Sequence, residues 1–185
     1  MKILIIENGY RDLVNSRYPL ADFFISKGHN VSYTCPTPPP KSGIYDLNIS
    51  RNKFSLSSLI KCVKNLIEIE NKENVDAILS FRLTSNILNY LSSFFGKKKN
   101  RTAVITGLGY AFVYNTSKYK FMKFFISFFY KIAEKRIKII VQNPDDLLDL
   151  GLSKSKVIFG SGIAKPSSLI NPKDNSKNLK LLYVG

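Results

Sequence analysis

An α/β fold, a parallel sheet with helices on both faces, is predicted by two features of this chain. Short apolar runs alternate with longer helical patterns, and the run Ala103-Val104-Ile105 ends in the glycine turn Thr106-Gly107-Leu108-Gly109-Tyr110. Parallel strands need crossovers, and the helical stretches supply them. A buried strand that ends in two glycines spaced by one residue brings bare backbone to a sheet edge, where a ligand approaches without meeting a Cβ. A tight strand-to-helix turn favours glycine in its own right, so this turn alone leaves ligand and architecture as equal readings.

The elements follow in order. Strands are expected at Lys2–Glu7, Asn30–Cys35, Ala77–Ser80, Thr102–Ile105, Ile137–Val141 and Lys156–Phe159, with helices at Arg17–Lys27, Leu56–Glu73, Thr84–Phe95, Tyr119–Lys135 and Pro144–Leu150. The first helix has Asn15 or Ser16 as N-cap and Gly28 as C-cap. Pro36, Pro38, Pro39 and Pro40 forbid regular pairing, so Pro36–Phe54 reads as an exposed loop. Asp145 and Asp146 open the last helix, where they complement its dipole; a general acid and base pair is the alternative.

Composition bounds the class. At 185 residues the chain suits one domain core, and a hydrophobic fraction of 44% with 13 Phe and 10 Tyr is enough apolar surface to fold. With 28 Lys and Arg against 13 Asp and Glu the net charge is +15, which draws the chain to nucleic acid, an acidic membrane or phosphorylated substrates without choosing among them. Cys35 and Cys62 show no metal-ligand spacing and fit a reduced, cytosolic setting. The apolar run at the N-terminus is too short for a signal peptide, and the longest candidate span, Phe121–Ala133, is broken by Lys123 and Lys131.

In an open parallel sheet, ligands bind beyond the carboxyl ends of the strands, near the reversal of strand order. Here those ends are followed by Asn8-Gly9, Pro36, Phe81-Arg82, Thr106-Gly107, Gln142-Asn143 and Gly160-Ser161-Gly162. Glycines, amides, hydroxyls and an Arg suit a polyhydroxyl or phosphorylated ligand. A dinucleotide fingerprint would need three glycines after the first strand, where only Gly9 stands, and no phosphate-loop motif occurs. His29, the single His, lies at the amino end of a strand and leaves no partner for a Ser or Cys nucleophile. The segment Lys118–Arg136 carries Phe121, Phe124, Phe125, Phe128 and Phe129 among lysines; core packing is one reading and a helix resting on an anionic bilayer is the other.

Several blocks together resemble the N-terminal half of bacterial family 4 glycosyltransferases, nearest to the group that extends undecaprenyl-diphosphate-linked glycans. They are Asn15-Ser16-Arg17-Tyr18-Pro19-Leu20, Gly28-His29-Asn30-Val31, Ile105-Thr106-Gly107-Leu108-Gly109-Tyr110, Val141-Gln142-Asn143-Pro144-Asp145-Asp146 and Gly160-Ser161-Gly162-Ile163. The resemblance implies a GT-B architecture, in which two Rossmann-like domains face across a cleft, and retaining sugar transfer from a nucleotide-sugar donor without a metal or other cofactor. It implies that residues 1–165 form the acceptor-side domain and 166–185 a linker plus the first strand of a donor domain, Leu181-Leu182-Tyr183-Val184-Gly185. The chain alone is then expected to bind without turnover, because the donor-binding residues of the family lie beyond that strand. Ala164 stands where the family usually has an acidic residue.

By this reading Gly107 and Gly109 allow close backbone approach to the reacting sugar at Thr106–Tyr110, and Arg17 and Arg82 meet the acceptor diphosphate. Asn8, Gly9 and Asn15 shape the first loop, and Gln142, Asn143, Ser161 and Gly162 line the cleft floor. The implied partners are a lipid-linked glycan acceptor and the anionic inner face of the cell membrane, with no nucleic acid. The alternatives are a non-catalytic acceptor-binding subunit that recruits a separately encoded donor-domain chain, and an unrelated α/β nucleotide-binding module.

Overall fold

In a computed structural model, which describes residues 1–40, 42–48, 55–95 and 99–158, seven parallel strands form one sheet in the order β3-β2-β1-β4-β5-β6-β7. They are β1 (Lys2–Ile6), β2 (Asn30–Cys35), β3 (Tyr45–Asp46), β4 (Ala77–Phe81), β5 (Asn100–Ile105), β6 (Lys138–Val141) and β7 (Lys156–Val157). The helices are α1 (Tyr10–Asp12), α2 (Tyr18–Ser26), α3 (Leu56–Lys72), α4 (Arg82–Ser92), α5 (Tyr110–Val113), α6 (Ser117–Ala133) and α7 (Pro144–Leu150).

β1 shows why the sheet is covered on both faces: Ile3, Leu4, Ile5 and Ile6 are all buried, as a central parallel strand requires. Leu4 and Ile6 join Ile78 beneath α3 and α4, while Ala103, Ile105, Ile139 and Val141 continue that face beneath α6 and α7. Ile3 and Ile5 point the other way, with Phe81 and Val104, against Leu13 and Ala21 of the α1–α2 region. Among the described residues, α3, α4, α6 and α7 thus cover one face and the α1–α2 segment the other.

The expected fold class is observed, with corrections to its parts. Asn15 and Ser16 do not cap the first helix. The chain turns helical at Tyr10, with Gly9 as N-cap, and Leu13–Arg17 forms a π turn that runs directly into α2. The Tyr18 N–H reaches back five residues to the Leu13 carbonyl. Pro19 is the physical reason: it has no N–H for the carbonyl four residues back and its ring crowds that turn, so the helix widens before it. Gly28, at φ 79°, follows Lys27 in the left-handed conformation that ends α2, as glycine past a helix end does.

The expected loop Pro36–Phe54 contains β3, a two-residue strand whose Tyr45 and Asp46 register on Thr34 and Cys35. The prolines stop at Pro40, and beyond them the Thr34 hydroxyl and the Asn65 amide donate to the carbonyls of Tyr45 and Asp46, at 2.9 and 2.7 Å. α4 starts at Arg82, two residues before the expected Thr84, because its cap comes from another element, as described below. The Phe159 end of the last expected strand, Ser161 and Gly162, and all of 166–185 lie outside the described residues.

β2, β3 and α3 meet at Glu73, whose carboxylate accepts hydrogen bonds from the Ser32 hydroxyl at 2.6 Å and from the Tyr45 hydroxyl. These bonds, Ser32's first, hold the Glu73 carboxyl below its ordinary value, against an opposing effect of burial. A lowered folded-state pKa means stabilisation that is present above the unfolded pKa and lost as pH falls through the folded one. Wild type is therefore expected to exceed Glu73→Gln by about 1 kcal/mol at neutral pH, with the two urea midpoints converging as pH falls through and below the ordinary glutamate range. A constant gap down to pH 3 would contradict this.

Candidate functional site

Strand order reverses between β1 and β4: from β1 the chain moves outward to β2 and β3, then crosses back to β4 on the other side of β1. The crevice at the carboxyl ends of this pair is where open α/β sheets take ligands. Its floor is Glu7, which extends β1 through a backbone hydrogen bond to Thr34 at 3.1 Å and is fully buried. A buried carboxylate is tolerated only with strong partners. Arg17 Nε donates to it at 2.7 Å, the Asn8 N–H donates at 2.8 Å, and Arg82 Nε stands 3.7 Å away.

The two arginines are not equivalent. Arg17 is turned inward by the π turn, only 8% exposed, with its guanidinium 3.8 Å from the centre of the Phe81 ring. Arg82 has a half-exposed side chain whose Nη1 pairs with Asp12 at 2.9 Å. Its backbone is held at φ 68°, a left-handed conformation costly for a residue with a Cβ. Phe81, the N-cap of α4, has no side chain able to cap. Asn8 supplies that cap from the β1 loop: its Oδ1 accepts from the Ser85 N–H at 3.0 Å and the Ser85 hydroxyl at 2.6 Å. The two sides of the crevice are thereby pinned to each other.

The glycine turn forms the next wall. Gly107 at φ 144° and Gly109 at φ 68°, ψ −168° occupy backbone regions that side chains rarely adopt, and a Cβ built on either meets no atom within 4 Å. The turn thus requires glycine for its backbone shape and opens onto free space. Gly107 and Leu108 share a small cleft with Arg82, Leu83, Ile105, Ile126 and Tyr130. On the opposite face, Arg17 and Gln142 are the polar groups of a groove walled by Leu20, Phe24, Leu79, Phe81, Val104, Ile140 and Ile158. The sequence-derived set therefore falls into two groups, Asn8, Arg82 and Gly107 on one side of Glu7 and Arg17 with Gln142 on the other.

The remaining residues stand apart from these groups. Asn15 is exposed on the π turn, Gly9 is buried beneath it, and Thr106 is half-buried. The Asn143 side chain caps α7, accepting from the Asp145 N–H at 3.1 Å. Asp146 is buried in that first turn; burial, then Asp149 and Asp145, raise its pKa. Cys35 ends β2 at the same sheet edge, but burial above all, then Asp46 and Glu7, pushes its thiol up to about 11, so it is no nucleophile at neutral pH. His29 packs near Phe24 at the amino edge. Among the described residues, no group of three or more His, Cys, Asp or Glu is placed to hold a metal ion.

Glu7, Asp12 and Ser85 are site residues that the sequence reading missed. The available signal was Glu7 itself, an acid that directly ends a run of four buried apolar residues. A second buried network also went unread. Ser80 donates to Asn86 at 2.8 Å, and Asn86 donates to the Tyr130 hydroxyl at 3.0 Å, tying α4 and α6 to the sheet beneath the glycine turn. Burial pushes the Tyr130 hydroxyl up to about 12, so it stays protonated.

An open, all-parallel Rossmann-like sheet with its crevice at β1 and β4 is the fold of one half of the GT-B architecture. Solved structures with this fold include sucrose-phosphate synthase from Thermosynechococcus elongatus, with a TM-score of 0.63 at 12% identity over 85% of this chain and 47% of that one. MurG from Acinetobacter baumannii matches at a TM-score of 0.55 and 12% identity over 90% of this chain and 46% of that one. UDP-GlcNAc 2-epimerase from Neisseria meningitidis, solved with UDP-GlcNAc bound, matches at 0.56 and 16% over 85% and 46%. The chain thus spans about half the length of each of these proteins. At such identities the likeness is one of fold, which hosts more than one chemistry. No protein-family model and no curated protein sequence matches the chain.

Proposed function

We propose that this chain is the acceptor-side domain of a metal-independent, retaining GT-B glycosyltransferase. Its reaction moves a sugar from a nucleotide donor onto a lipid-linked glycan of the undecaprenyl-diphosphate type, at the inner face of the cell membrane. The observation that carries the reading is the juxtaposition of the half-exposed Arg82 with the open glycine turn at Gly107, both beside the strand reversal. A guanidinium suits a diphosphate and bare backbone suits a close-packed sugar ring. Within this role Asn8, Gly9 and Asn15 shape the first loop, Arg17 holds the Glu7 carboxylate that Arg82 also approaches, and Gln142 stands at the sheet edge on the other side of Glu7.

The donor-side half of the cleft is assigned to a second domain, on this polypeptide or on a separate chain. The second reading makes this chain an acceptor-binding subunit that acts with a donor-domain partner chain; it shares the acceptor site and differs only in where the donor domain resides.

Calorimetric titration of a water-soluble short-prenyl-diphosphate disaccharide into the 185-residue chain tests the acceptor assignment. Arg82→Gln is expected to weaken binding by about tenfold or more, the loss of one charge-assisted hydrogen bond. Gly107→Val is expected to weaken it at least as much, by filling the open space and straining the turn by about 1–3 kcal/mol. Equal affinity in all three proteins, or no binding by wild type at millimolar ligand, would rule the assignment out.

A further inference from the structure

We infer that the outer face of α5 and α6 is a docking surface for an anionic lipid bilayer. α6 buries one side, where Tyr130 and Ala133 join the core with Ile126 packed beside them. Phe121, Phe124, Phe125 and Phe128 recur at i, i+3, i+4 and i+7, which places them together on one face. That face points to solvent, for the four rings are 49–65% exposed. Aromatic rings thus stand where an ordinary surface helix turns polar residues to solvent, and the core-packing reading of this stripe fails for these four residues.

The rings form a continuous patch. Phe121 and Phe125 lie 4.4 Å apart between centroids, and Phe124 stacks on Phe128 at 6.2 Å. Tyr119, Tyr114 and Tyr110, in contact at 5.2 and 6.0 Å, continue the aromatic surface back to Gly109. Tyr110 and Val113 are about three-quarters exposed, at 74% and 75%. A contiguous apolar surface of this kind marks an interaction site.

Charge selects the occupant. α6 contains four lysines and no acidic residue. Lys118, Lys120 and Lys131 are exposed, whereas Lys123 is tied to Asp149 at 2.7 Å. A second copy of this chain would set these lysines against their own kind, on a molecule of net charge +15. An anionic leaflet removes that repulsion: aromatic rings settle at the headgroup boundary while lysine stems reach up to the phosphates. Among the described residues no helix is long and apolar enough to cross a membrane, so the contact lies in the plane of the surface. Because α5 follows Gly109 directly, docking sets the glycine turn at the headgroup level; the use of that placement for a lipid-linked acceptor rests on the function proposed above.

Co-sedimentation of the 185-residue chain with phosphatidylcholine vesicles, with and without about 30 mol% phosphatidylglycerol, tests the inference. Binding to the anionic vesicles and little to the neutral ones is expected. Phe124→Ser with Phe128→Ser is expected to lower the partition coefficient at least about tenfold, and Lys118→Glu with Lys120→Glu to abolish the anionic preference. All four positions are exposed, and matched circular dichroism and melting temperature confirm folding of each variant. Absence of vesicle binding, or undiminished binding by the Phe variant, overturns the inference. So does a wild-type dimer that the Phe variant dissociates in analytical ultracentrifugation without any vesicle binding. The vesicles hold no glycan, so the outcome is independent of the acceptor titration.

Discussion

Glu7→Ala is expected to destabilise the folded chain by about 3–5 kcal/mol, the loss seen when one partner of a buried ion pair is removed. The cause is what the substitution leaves behind. Arg17 would remain under the sheet edge, 8% exposed, with its Nε donor and its charge unmatched, while the Asn8 N–H would lose its acceptor. Arg82 would keep Asp12 at 2.9 Å and suffer less. The expected readout is a fall in melting temperature on the order of 10 °C, taking about 2–4 °C per kcal/mol for a chain of this size. Glu7→Gln, which retains an acceptor for Arg17 and Asn8, should fall between the two. A change below about 1 kcal/mol in Glu7→Ala would show that Glu7 is solvated in solution and that the floor of the crevice is looser than described.

Arg101→Leu is expected to have an effect of similar size for a different reason, and its partner reverses it. The Arg101 guanidinium forks onto Glu70, with Nη1 to Oε1 at 3.0 Å and Nη2 to Oε2 at 2.7 Å, and Nη1 also donates to the Ser92 hydroxyl at 2.7 Å. Glu70 is fully buried, and among the described residues the cation left to it without Arg101 is Lys99, whose Nζ is 3.5 Å away. Stranding that carboxylate should cost about 3–5 kcal/mol, whereas replacing both members by apolar residues is often neutral or stabilising. In urea denaturation, Glu70→Leu with Arg101→Leu should therefore recover most of the stability lost in Arg101→Leu alone. Strictly additive losses in the double variant would refute the pairing.

The fold was readable because its core residues are periodic and local. Ile3–Ile6, Val104–Ile105 and Ile139–Val141 are short apolar runs flanked by turns, and each is a buried strand or part of one. Helix starts were less legible. Asn15-Ser16 has the composition of a cap, yet Pro19 widens the turn it sits in, and the true N-cap of α4 is satisfied by Asn8, 77 residues from Ser85. Local pattern carries no information about such a contact.

The site divides in the same way. Gly107 and Gly109 declared themselves because their backbone shape needs glycine, and Arg82 because it directly follows a strand. Arg17 looked like a free cation in sequence and is in fact held by Glu7, since nothing in a chain of letters reveals that residues ten apart share one buried charge pair. The phenylalanines of α6 were ambiguous for a related reason: periodicity places them on one face, and only the packing of Tyr130 and Ala133 shows which face is outside.

The wide turn at Leu13–Arg17 also bears on how the chain tolerates insertion and deletion. It holds one residue more than an α-helical turn, and each residue rotates a helix by about 100°. Losing a single codon there would restore regular winding while Ala21 and Phe24 keep the faces they now turn to the sheet, because the wide turn already absorbs the surplus residue. A codon lost from the regular turns of α2 would instead swing everything after it by more than a quarter turn. Tolerance of a change in length is therefore concentrated at this one place.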